Sequence, residues 1–151
     1  MTLRVLVTGA GGQVGSELVR LLGDDGIGLT RAQLDVTDRD AVLAAVRSER
    51  PDAVVNAAAW TAVDGAESEP DAAHALNATA VGHLAEAATD VGARFCTFST
   101  DYVFDGTKST PYVEEDAPNP QSVYGRTKLG GEQAAGPEAL VVRTSWVCGE
   151  H

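Results

Sequence analysis

A tyrosine and a lysine at helical spacing, Tyr124 and Lys128, are the side chains of this sequence best suited to transferring a proton. Residues at positions i and i+4 project from the same face of a helix. An ammonium group beside a phenol stabilises the phenolate, so the pair predicts a tyrosine pKa lowered towards the working range of a general acid. Such a pair is common by chance. It gains meaning from Thr100, whose hydroxyl follows an apolar run upstream and is expected to face the same crevice.

A glycine-rich stretch at the start of the sequence supplies the second chemical signal. The apolar run 5–7 leads into Gly9, Gly12 and Gly15, and a helical pattern begins at Gln13. We expect Gly9 to turn the chain off a strand, Gly12 to let the backbone approach a pyrophosphate, and Gly15 to pack the helix against the strand. This arrangement predicts a dinucleotide or nucleotide site. A plain glycine-rich turn is the alternative, but it does not need the third glycine.

The elements that position these residues alternate between strand and helix. Strands are predicted at 5–7, 27–30, 53–56, 94–99 and 140–142, the last extending towards Trp146; helices are predicted from 13 to 22, 37 to 49 and 71 to 88, and from 124 onwards. Continuous apolar strands are typical of a parallel sheet covered on both faces. We therefore predict an α/β fold with a doubly wound parallel sheet, a Rossmann-like NAD(P)-binding domain spanning residues 1–151.

The segment from Asp105 to Pro120 does not follow this alternation. It contains three prolines and several acidic residues without any period. It follows the fourth strand, at the carboxyl edge where such sheets bind ligands. We predict a functional lid over the site; a disordered tie is the alternative.

Composition limits the partners of the chain. The net charge is −11 at pH 7 and the pI is about 4.5, which argues against nucleic acid and anionic membranes as partners. Cys96 lies in an apolar run and is expected to be a buried, reduced thiol, far from Cys148. No apolar run approaches the ~20 residues of a membrane span, so we expect a cytoplasmic protein.

No metal site is expected. The three histidines, His74, His83 and His151, do not have the spacing of metal ligands. The first two are predicted to be polar positions on one helix.

Five longer motifs, together with the glycine turn and the Tyr-x-x-x-Lys pair, resemble the extended short-chain dehydrogenase/reductases and, within them, the dTDP-4-dehydrorhamnose reductases. The motifs are LDVTD (34–38), PDAVVNAAAWTAVDGAE (51–67), FSTDYVFDG (98–106), SVYGRTKLGGE (122–132) and VVRTSWVCG (141–149). The similarity spans essentially the whole chain. It implies NAD(P)H-dependent reduction of the C4 ketone of dTDP-4-dehydro-L-rhamnose to dTDP-L-rhamnose.

The resemblance also implies roles for the three reactive side chains. Thr100 is expected to hydrogen-bond and polarise the C4 carbonyl of the sugar. Tyr124 is expected to protonate the same oxygen as hydride arrives from the nicotinamide, and Lys128 to hold the ribose and tune Tyr124.

Binding residues are implied in the same way. The pyrophosphate is expected at the glycine turn, the adenine at the end of the second strand and the nicotinamide half after the third strand. In that order the residues are Gly9, Gly12, Gln13, Val14 and Gly15; Asp35 and Val36; and Ala57, Ala58, Ala59 and Thr61. Val63, Thr100, Tyr102 and Trp146 are the expected substrate residues, although Trp60 and Trp146 could equally be core aromatics.

The residues after the second strand favour NADPH as the cofactor, with NADH tolerated. A carboxylate for the ribose 2′-hydroxyl is expected there, but Asp24 and Asp25 come before the strand and Thr30-Arg31 follows it. Arg31 is suited to a 2′-phosphate. The alternative is an exposed arginine without a role.

The resemblance further implies a dTDP-sugar as partner and leaves a homodimer open. Members of the family run to about twice this length, with a C-terminal region that completes the substrate pocket. We therefore expect a cofactor-binding half that turns over substrate weakly, with an uncovered apolar face and an unpaired sheet edge.

Two other classes remain open. One is a non-catalytic subunit of the methionine adenosyltransferase β type, against which the intact Thr100, Tyr124 and Lys128 argue. The other is a nucleotide-sugar epimerase or dehydratase. Dehydratases need an acid/base pair after the threonine, commonly Asp-Glu, whereas Asp101-Tyr102 follows it here.

Overall fold

Five parallel strands form one sheet in the order β2-β1-β3-β4-β5. The computed structural model describes residues 3–149, so His151 and the prediction made for it lie outside the described residues. The strands are β1 Val5–Thr8, β2 Gly26–Leu29, β3 Ala53–Asn56, β4 Arg94–Thr100 and β5 Leu140–Thr144. All five were predicted. β5 ends at Thr144 and does not extend to Trp146, whose backbone adopts a left-handed φ of 53°.

All four predicted helices are present in the structure, one of them divided into segments. They are α1 Gln13–Leu22, α2 Arg39–Glu49, α3 Val63–Ser68, α4 Pro70–His74, α5 Ala80–Val91 and α6 Val123–Ala135. The predicted helix over 71–88 consists of α4, a π-helical turn at Ala75–Thr79 and α5. It begins one residue earlier than predicted, with proline in its first turn, and ends later. α3 was not predicted, because its six residues include Gly65 and carry no clear apolar period.

Side-chain caps fix the starts of two helices. The Asp38 carboxylate accepts a hydrogen bond from the Ala41 amide at 3.0 Å and begins α2. The Ser122 hydroxyl accepts from the Gly125 amide at 3.0 Å and begins α6. Each cap satisfies an amide that the helix itself leaves unpaired. The Ser122 cap places Tyr124 in the first turn of α6.

The direction of the chain reverses at β1, which confirms the doubly wound fold. From β1 the chain moves outward to β2, then returns past β1 to β3. Right-handed crossovers therefore place α1 and α2 on opposite faces of the sheet. The main core lies on the α2 and α5 side, where Leu6, Val54 and Phe95 of the sheet pack against both helices. Ligands of such sheets bind at the reversal point, beyond the carboxyl ends of β1 and β3.

The loop from 105 to 120 is organised around one carboxylate. Asp105 accepts hydrogen bonds from the Thr107 amide and hydroxyl, the Tyr112 hydroxyl and the Asn119 side chain. These bonds, led by the one from Asn119, hold the pKa of Asp105 well below its usual range. The segment is thus an ordered loop and not a disordered tie.

The two cysteines are free thiols. Cys96 is only partly buried, less than predicted, and burial raises the pKa of its thiol. Cys148 is exposed. Among residues 3–149, no helix has the length and apolar character needed to cross a membrane.

Close backbone contact determines where α6 packs on the π-helical turn. A Cβ added at Gly131 would lie 2.2 Å from the Asn77 carbonyl oxygen, far inside van der Waals contact. A Cβ added at Gly82, on the neighbouring α5, would lie 3.6 Å from the Ala134 Cβ, which is ordinary packing.

We predict that Gly131→Ala lowers the free energy of unfolding by about 1–3 kcal/mol, because the methyl group forces α6 away from the turn. Gly82→Ala is the matched control. It is expected to leave stability unchanged or raise it by up to about 1 kcal/mol, since alanine favours a helix and meets no clash. Urea unfolding followed by circular dichroism measures both. Equal stabilities of the two variants would contradict the proposed packing.

Candidate functional site

A cavity of about 730 Å³ lies at the carboxyl edge of the sheet. It is bounded by the start of α1, the segment after β3, the ends of β4 and β5, and α6. The cavity brings together thirteen of the residues predicted from the sequence. They are Gly12, Gln13, Val14, Ala57, Ala58, Ala59, Thr61, Val63, Thr100, Tyr102, Tyr124, Lys128 and Trp146.

The glycine turn after β1 requires residues without side chains. Gly9 has φ +68°, and a Cβ there would lie 2.5 Å from the Ala58 amide nitrogen. A Cβ at Gly15 would lie 2.2 Å from the Gly9 carbonyl oxygen, so α1 packs directly on the turn. Gly9 and Gly15 therefore shape the turn from beneath the cavity, as predicted. Gly12 lies at its lining.

The start of α1 points into the cavity with its amides unoccupied by a side-chain cap. Gly12 is the N-cap residue and offers no side-chain acceptor. The first amides of a helix bind anions because they lack partners within the helix and lie at the positive end of its dipole. This helix end is therefore suited to a phosphate group.

Tyr124 occupies the first turn of α6, against the Tyr102 ring. The two rings meet edge to face with centroids 5.5 Å apart. Burial raises the pKa of Tyr124, and the Thr100 hydroxyl opposes this only in part. The predicted lowering by Lys128 is wrong for this structure, because desolvation of the phenolate outweighs the other influences. The phenol therefore carries its proton at neutral pH, but the raised pKa makes it a weaker acid in this structure than the sequence predicts.

Lys128 is buried one helical turn after Tyr124. Its Nζ donates to the Phe98 carbonyl oxygen of β4 at 2.6 Å, and the residue is 7% exposed. Burial lowers its pKa to about 8, with Glu132 opposing the shift. The ammonium thus remains largely protonated at neutral pH. Its hydrogen bond to the Phe98 carbonyl of β4 orients it.

Thr100 ends β4 with its hydroxyl already engaged. The hydroxyl donates to Asp101 Oδ1 at 3.1 Å and accepts from the Tyr102 amide at 3.2 Å. Ser145, after β5, donates to the other oxygen of Asp101 at 2.9 Å. Asp101 therefore ties together the ends of two strands. To donate to a ligand, Thr100 must release Asp101.

Asn77 in the π-helical turn joins two walls of the cavity. Its Oδ1 accepts from the Trp60 amide at 2.8 Å, and its Nδ2 donates to the Trp60 carbonyl and to the Thr127 hydroxyl, both at 3.0 Å. The residue is fully buried. The π-helical turn thereby fixes the segment after β3 against α6.

Besides Gly9 and Gly15, three predicted residues do not line the cavity, and these three lie after β2. Arg31 is exposed close to the glycine turn, since a Cβ at Gly11 would be 3.7 Å from the Thr30 methyl. Asp35 accepts hydrogen bonds from the Thr37 amide and hydroxyl, which keep its pKa low. The Val36 side chain is buried in the core. Any ligand contact by Val36 would therefore involve its backbone.

The two tryptophans have different environments. Trp60 packs with Ala66, Ala73 and Tyr124, and its indole donates to the Ala62 carbonyl at 3.0 Å. Trp146 is 94% exposed at the cavity, so it is not a core aromatic. The loop 105–120 contributes no residue to the lining, so its predicted position over the site is not seen.

Seven lining residues were not predicted, and most lie at or just after the carboxyl ends of strands. They are Asn56, Phe98, Ser99, Asp101, Thr144, Ser145 and Val147. The position of a polar residue at the end of a predicted parallel strand is the signal that could have found Asn56, Ser99 and Thr144.

The assembled groups can protonate a ligand oxygen beside an anion-binding helix end. Within residues 3–149 there is no group of three or more histidine, cysteine or acidic side chains placed to hold a metal ion. The arrangement is suited to general-acid chemistry on a ligand that carries phosphate.

Comparison with known proteins gives a consistent family. The profile of the RmlD substrate binding domain matches residues 3–151. A curated dTDP-4-dehydrorhamnose reductase from Mycobacterium tuberculosis is 50% identical over 154 residues, covering 95% of this chain and 50% of that protein. The chain thus spans about half the length of the curated relatives it matches.

Solved structures agree with this similarity. A dTDP-4-dehydrorhamnose reductase from Clostridium acetobutylicum superposes with a TM-score of 0.95 at 41% identity, covering 99% of this chain and 55% of that one. The Bacillus anthracis dTDP-4-dehydrorhamnose reductase, in complex with NADP, gives a TM-score of 0.96 at 37% identity, covering 100% and 56%.

We predict that Asn77→Leu lowers the free energy of unfolding by about 2–4 kcal/mol, because it leaves the Trp60 amide and carbonyl without partners. Thr127→Val is the matched control. It removes only one of the three Asn77 hydrogen bonds and is expected to cost about 1 kcal/mol. Urea unfolding measures both variants. If Asn77→Leu is as stable as the unaltered chain, the Asn77 hydrogen bonds do not hold the segment after β3 against α6.

Proposed function

This chain belongs to the RmlD substrate binding domain family, and on that premise we propose that it is the cofactor-binding half of a reductase. The proposed reaction is NADPH-dependent reduction of the C4 ketone of dTDP-4-dehydro-L-rhamnose to dTDP-L-rhamnose. The observation that carries the proposal is the meeting of Thr100, Tyr124 and Lys128 with the glycine turn in one cavity. The names of the relatives supply the substrate.

The cavity fits a dinucleotide cofactor. Added Cβ atoms at Gly9 and Gly15 would strike backbone, so these glycines fix the shape of the turn, and Gly12 leaves the lining without a side chain where a pyrophosphate must come close. The amides at the start of α1 are available to phosphate. When bound, NADPH supplies the hydride.

The chain's own residues supply the proton and the polarisation. Tyr124 gives its phenolic proton to the C4 oxygen, which becomes the alcohol as hydride adds to the carbon. Thr100 turns its hydroxyl from Asp101 to the same oxygen, and Lys128 holds the ribose of the cofactor and supports the tyrosinate left behind. Burial keeps Tyr124 protonated until charge develops on the substrate oxygen.

NADPH is preferred over NADH in this proposal. Thr30-Arg31 follows β2, where NAD-specific sites carry a carboxylate for the ribose 2′-hydroxyl. The exposed Arg31 guanidinium suits a 2′-phosphate, and the Bacillus anthracis relative is in complex with NADP. Asp35 and the Val36 backbone are assigned to the adenine side.

The proposal assigns residues 1–151 to a NAD(P)-binding domain with weak turnover of its own. Tyr102 and Trp146, the aromatic candidates for substrate contact, are 47% and 94% exposed, so the substrate side of the cavity is open. Val63 lies deeper in the lining. Further sugar-nucleotide contacts then come from the half of the relatives that this chain does not match.

Partners and location follow from the same proposal. The ligand is a dTDP-sugar, and free thiols at both cysteines agree with a cytoplasmic location. A second copy of the chain is a candidate partner, since β5 lies at the edge of the described sheet with Leu140 62% exposed.

A dehydratase and a regulatory subunit find less support. Dehydratase chemistry needs a second acid beside Asp101, and among the described residues Asp101 is the only carboxylate that lines the cavity. A purely regulatory subunit has no need for the buried Tyr124 and Lys128 in one cavity with Thr100.

We predict that Tyr124→Phe lowers the rate of reduction by about 10²–10⁴-fold, because the proton donor is missing, and leaves NADPH affinity within about twofold. Nicotinamide absorbance with dTDP-4-dehydro-L-rhamnose measures the rate, and nicotinamide fluorescence measures the affinity. The chain is used at a concentration close to that of the substrate because slow turnover is expected.

Tyr112→Phe is the matched control, since Tyr112 lies in the loop 105–120 outside the cavity lining. The Mycobacterium tuberculosis relative serves as the positive control for the substrate preparation. Equal rates for Tyr124→Phe and the unaltered chain would contradict the proposed proton donor. Failure to bind NADPH would contradict the proposed cofactor.

A further inference from the structure

A partly buried ion pair lies one helical turn beyond Lys128. Glu132 accepts two hydrogen bonds from the Arg143 guanidinium, Nε at 2.8 Å and Nη2 at 2.7 Å. The Ser99 hydroxyl also donates to Glu132, at 2.5 Å. The side chains of Glu132 and Arg143 are 11% and 25% exposed. This cluster joins α6 to both β4 and β5.

Lys128 and Glu132 bond to two successive residues of β4. Lys128 Nζ donates to the carbonyl of Phe98, and Ser99, the next residue, donates to Glu132. Glu132 follows Lys128 by four residues on α6, which places both side chains on the strand-facing side of the helix. The carboxylate therefore lies between two cations, Lys128 at the cavity and Arg143 behind it.

Other charged groups near α6 have other partners or positions. Asp101 and Tyr102 line the cavity with Lys128, but the Asp101 carboxylate receives the hydroxyls of Thr100 and Ser145. Glu67 of α3 accepts from the Val123 amide at the start of α6. His74 of α4 lies near Gly130, since a Cβ there would be 3.9 Å from its Nε2. Glu132 is the anion that favours the charged form of Lys128.

We propose that Glu132 is a positioning residue, whose charge, fixed by Ser99 and Arg143, keeps the Lys128 ammonium protonated against the Phe98 carbonyl. Only the catalytic role of the Lys128 ammonium rests on the proposed function. The charge balance itself is a property of the folded chain.

Arg143 and Lys128 both attract the Glu132 carboxylate, so Arg143 weakens the effect of that carboxylate on Lys128. Its bidentate pairing draws the carboxylate towards β5, and its guanidinium also lies 5.0 Å from the centre of the Phe104 ring, which stacks on Tyr112. Removal of Glu132 takes away the hydrogen-bonded anion of Arg143 and leaves Glu114 as a more weakly acting one. The net positive charge near Lys128 therefore rises. Removal of the Arg143 charge leaves the carboxylate with the Ser99 hydroxyl and with Lys128 as its nearby cation. The two changes must act on the pKa of Lys128 in opposite directions.

The chain contains only two lysines, Lys108 and Lys128, which makes a direct titration practical. Lysine labelled with carbon-13 at Cε gives two signals, and each shifts as its ammonium loses a proton. Lys108, in the loop 105–120 and paired with Asp116, is the internal reference. The variants are Glu132→Gln, Glu132→Asp and Arg143→Gln, each measured without cofactor or substrate.

The expected shifts have different signs. Glu132→Gln lowers the pKa of Lys128 by about one to three units, as loss of an opposite charge one helical turn away does. Arg143→Gln raises it, and Glu132→Asp, which keeps the charge, stays closer to the unaltered chain than Glu132→Gln does. The Lys108 signal is the comparison within each sample.

Two results would overturn the inference. A rise towards the ordinary lysine value in Glu132→Gln would mean that the pair only holds the helix in place, because a loosened Lys128 gains water. No change would mean that the carboxylate does not influence the ammonium. Neither reading involves turnover, so failure of the proposed reduction leaves this test intact.

Discussion

Burial of the Lys128 ammonium between α6 and β4 is the constraint to which the rest of the site is adapted. A buried cation is costly unless it is hydrogen-bonded and balanced by charge. The Phe98 carbonyl provides the hydrogen bond, and Glu132 provides the nearest opposing charge. Both depend on the register of α6 on the sheet, which the Ser122 cap and the close contact at Gly131 define.

The cavity walls are held by backbone contacts more than by side-chain bulk. The glycine turn after β1 lies against the backbone of residues 57–58, and Asn77 joins the next part of that segment to α6. The π-helical turn supplies the extra residue that brings Asn77 to this position, as such bulges often do at functional sites. Binding groups from three crossovers therefore converge where the strand order reverses.

Much of the fold follows from patterns within short windows of sequence. Apolar runs located the five strands, helical periods located α1, α2 and the helix that comprises α4 and α5, and the spacing of Tyr124 and Lys128 indicated α6. Short α3 has no such period, and nothing in the period of the helix over 71–88 marks the π-helical turn within it. Contacts with α6 stabilise both elements. The reactive side chains were recognisable from type and spacing, but the direction of the Tyr124 pKa was wrong because burial cannot be judged from spacing. The tie between Thr100 and Asp101 likewise depends on tertiary geometry.

The central claim is that the glycine turn and the reactive face of α6 hold the two ends of one NADPH molecule. Amide chemical shifts of the nitrogen-15-labelled chain, recorded during addition of NADPH, test it most directly. The account predicts saturable shifts at Gly12, Gln13, Ala58 and Lys128, with those of the loop 105–120 unchanged. No saturable shifts, or shifts confined to residues outside the cavity, would contradict it.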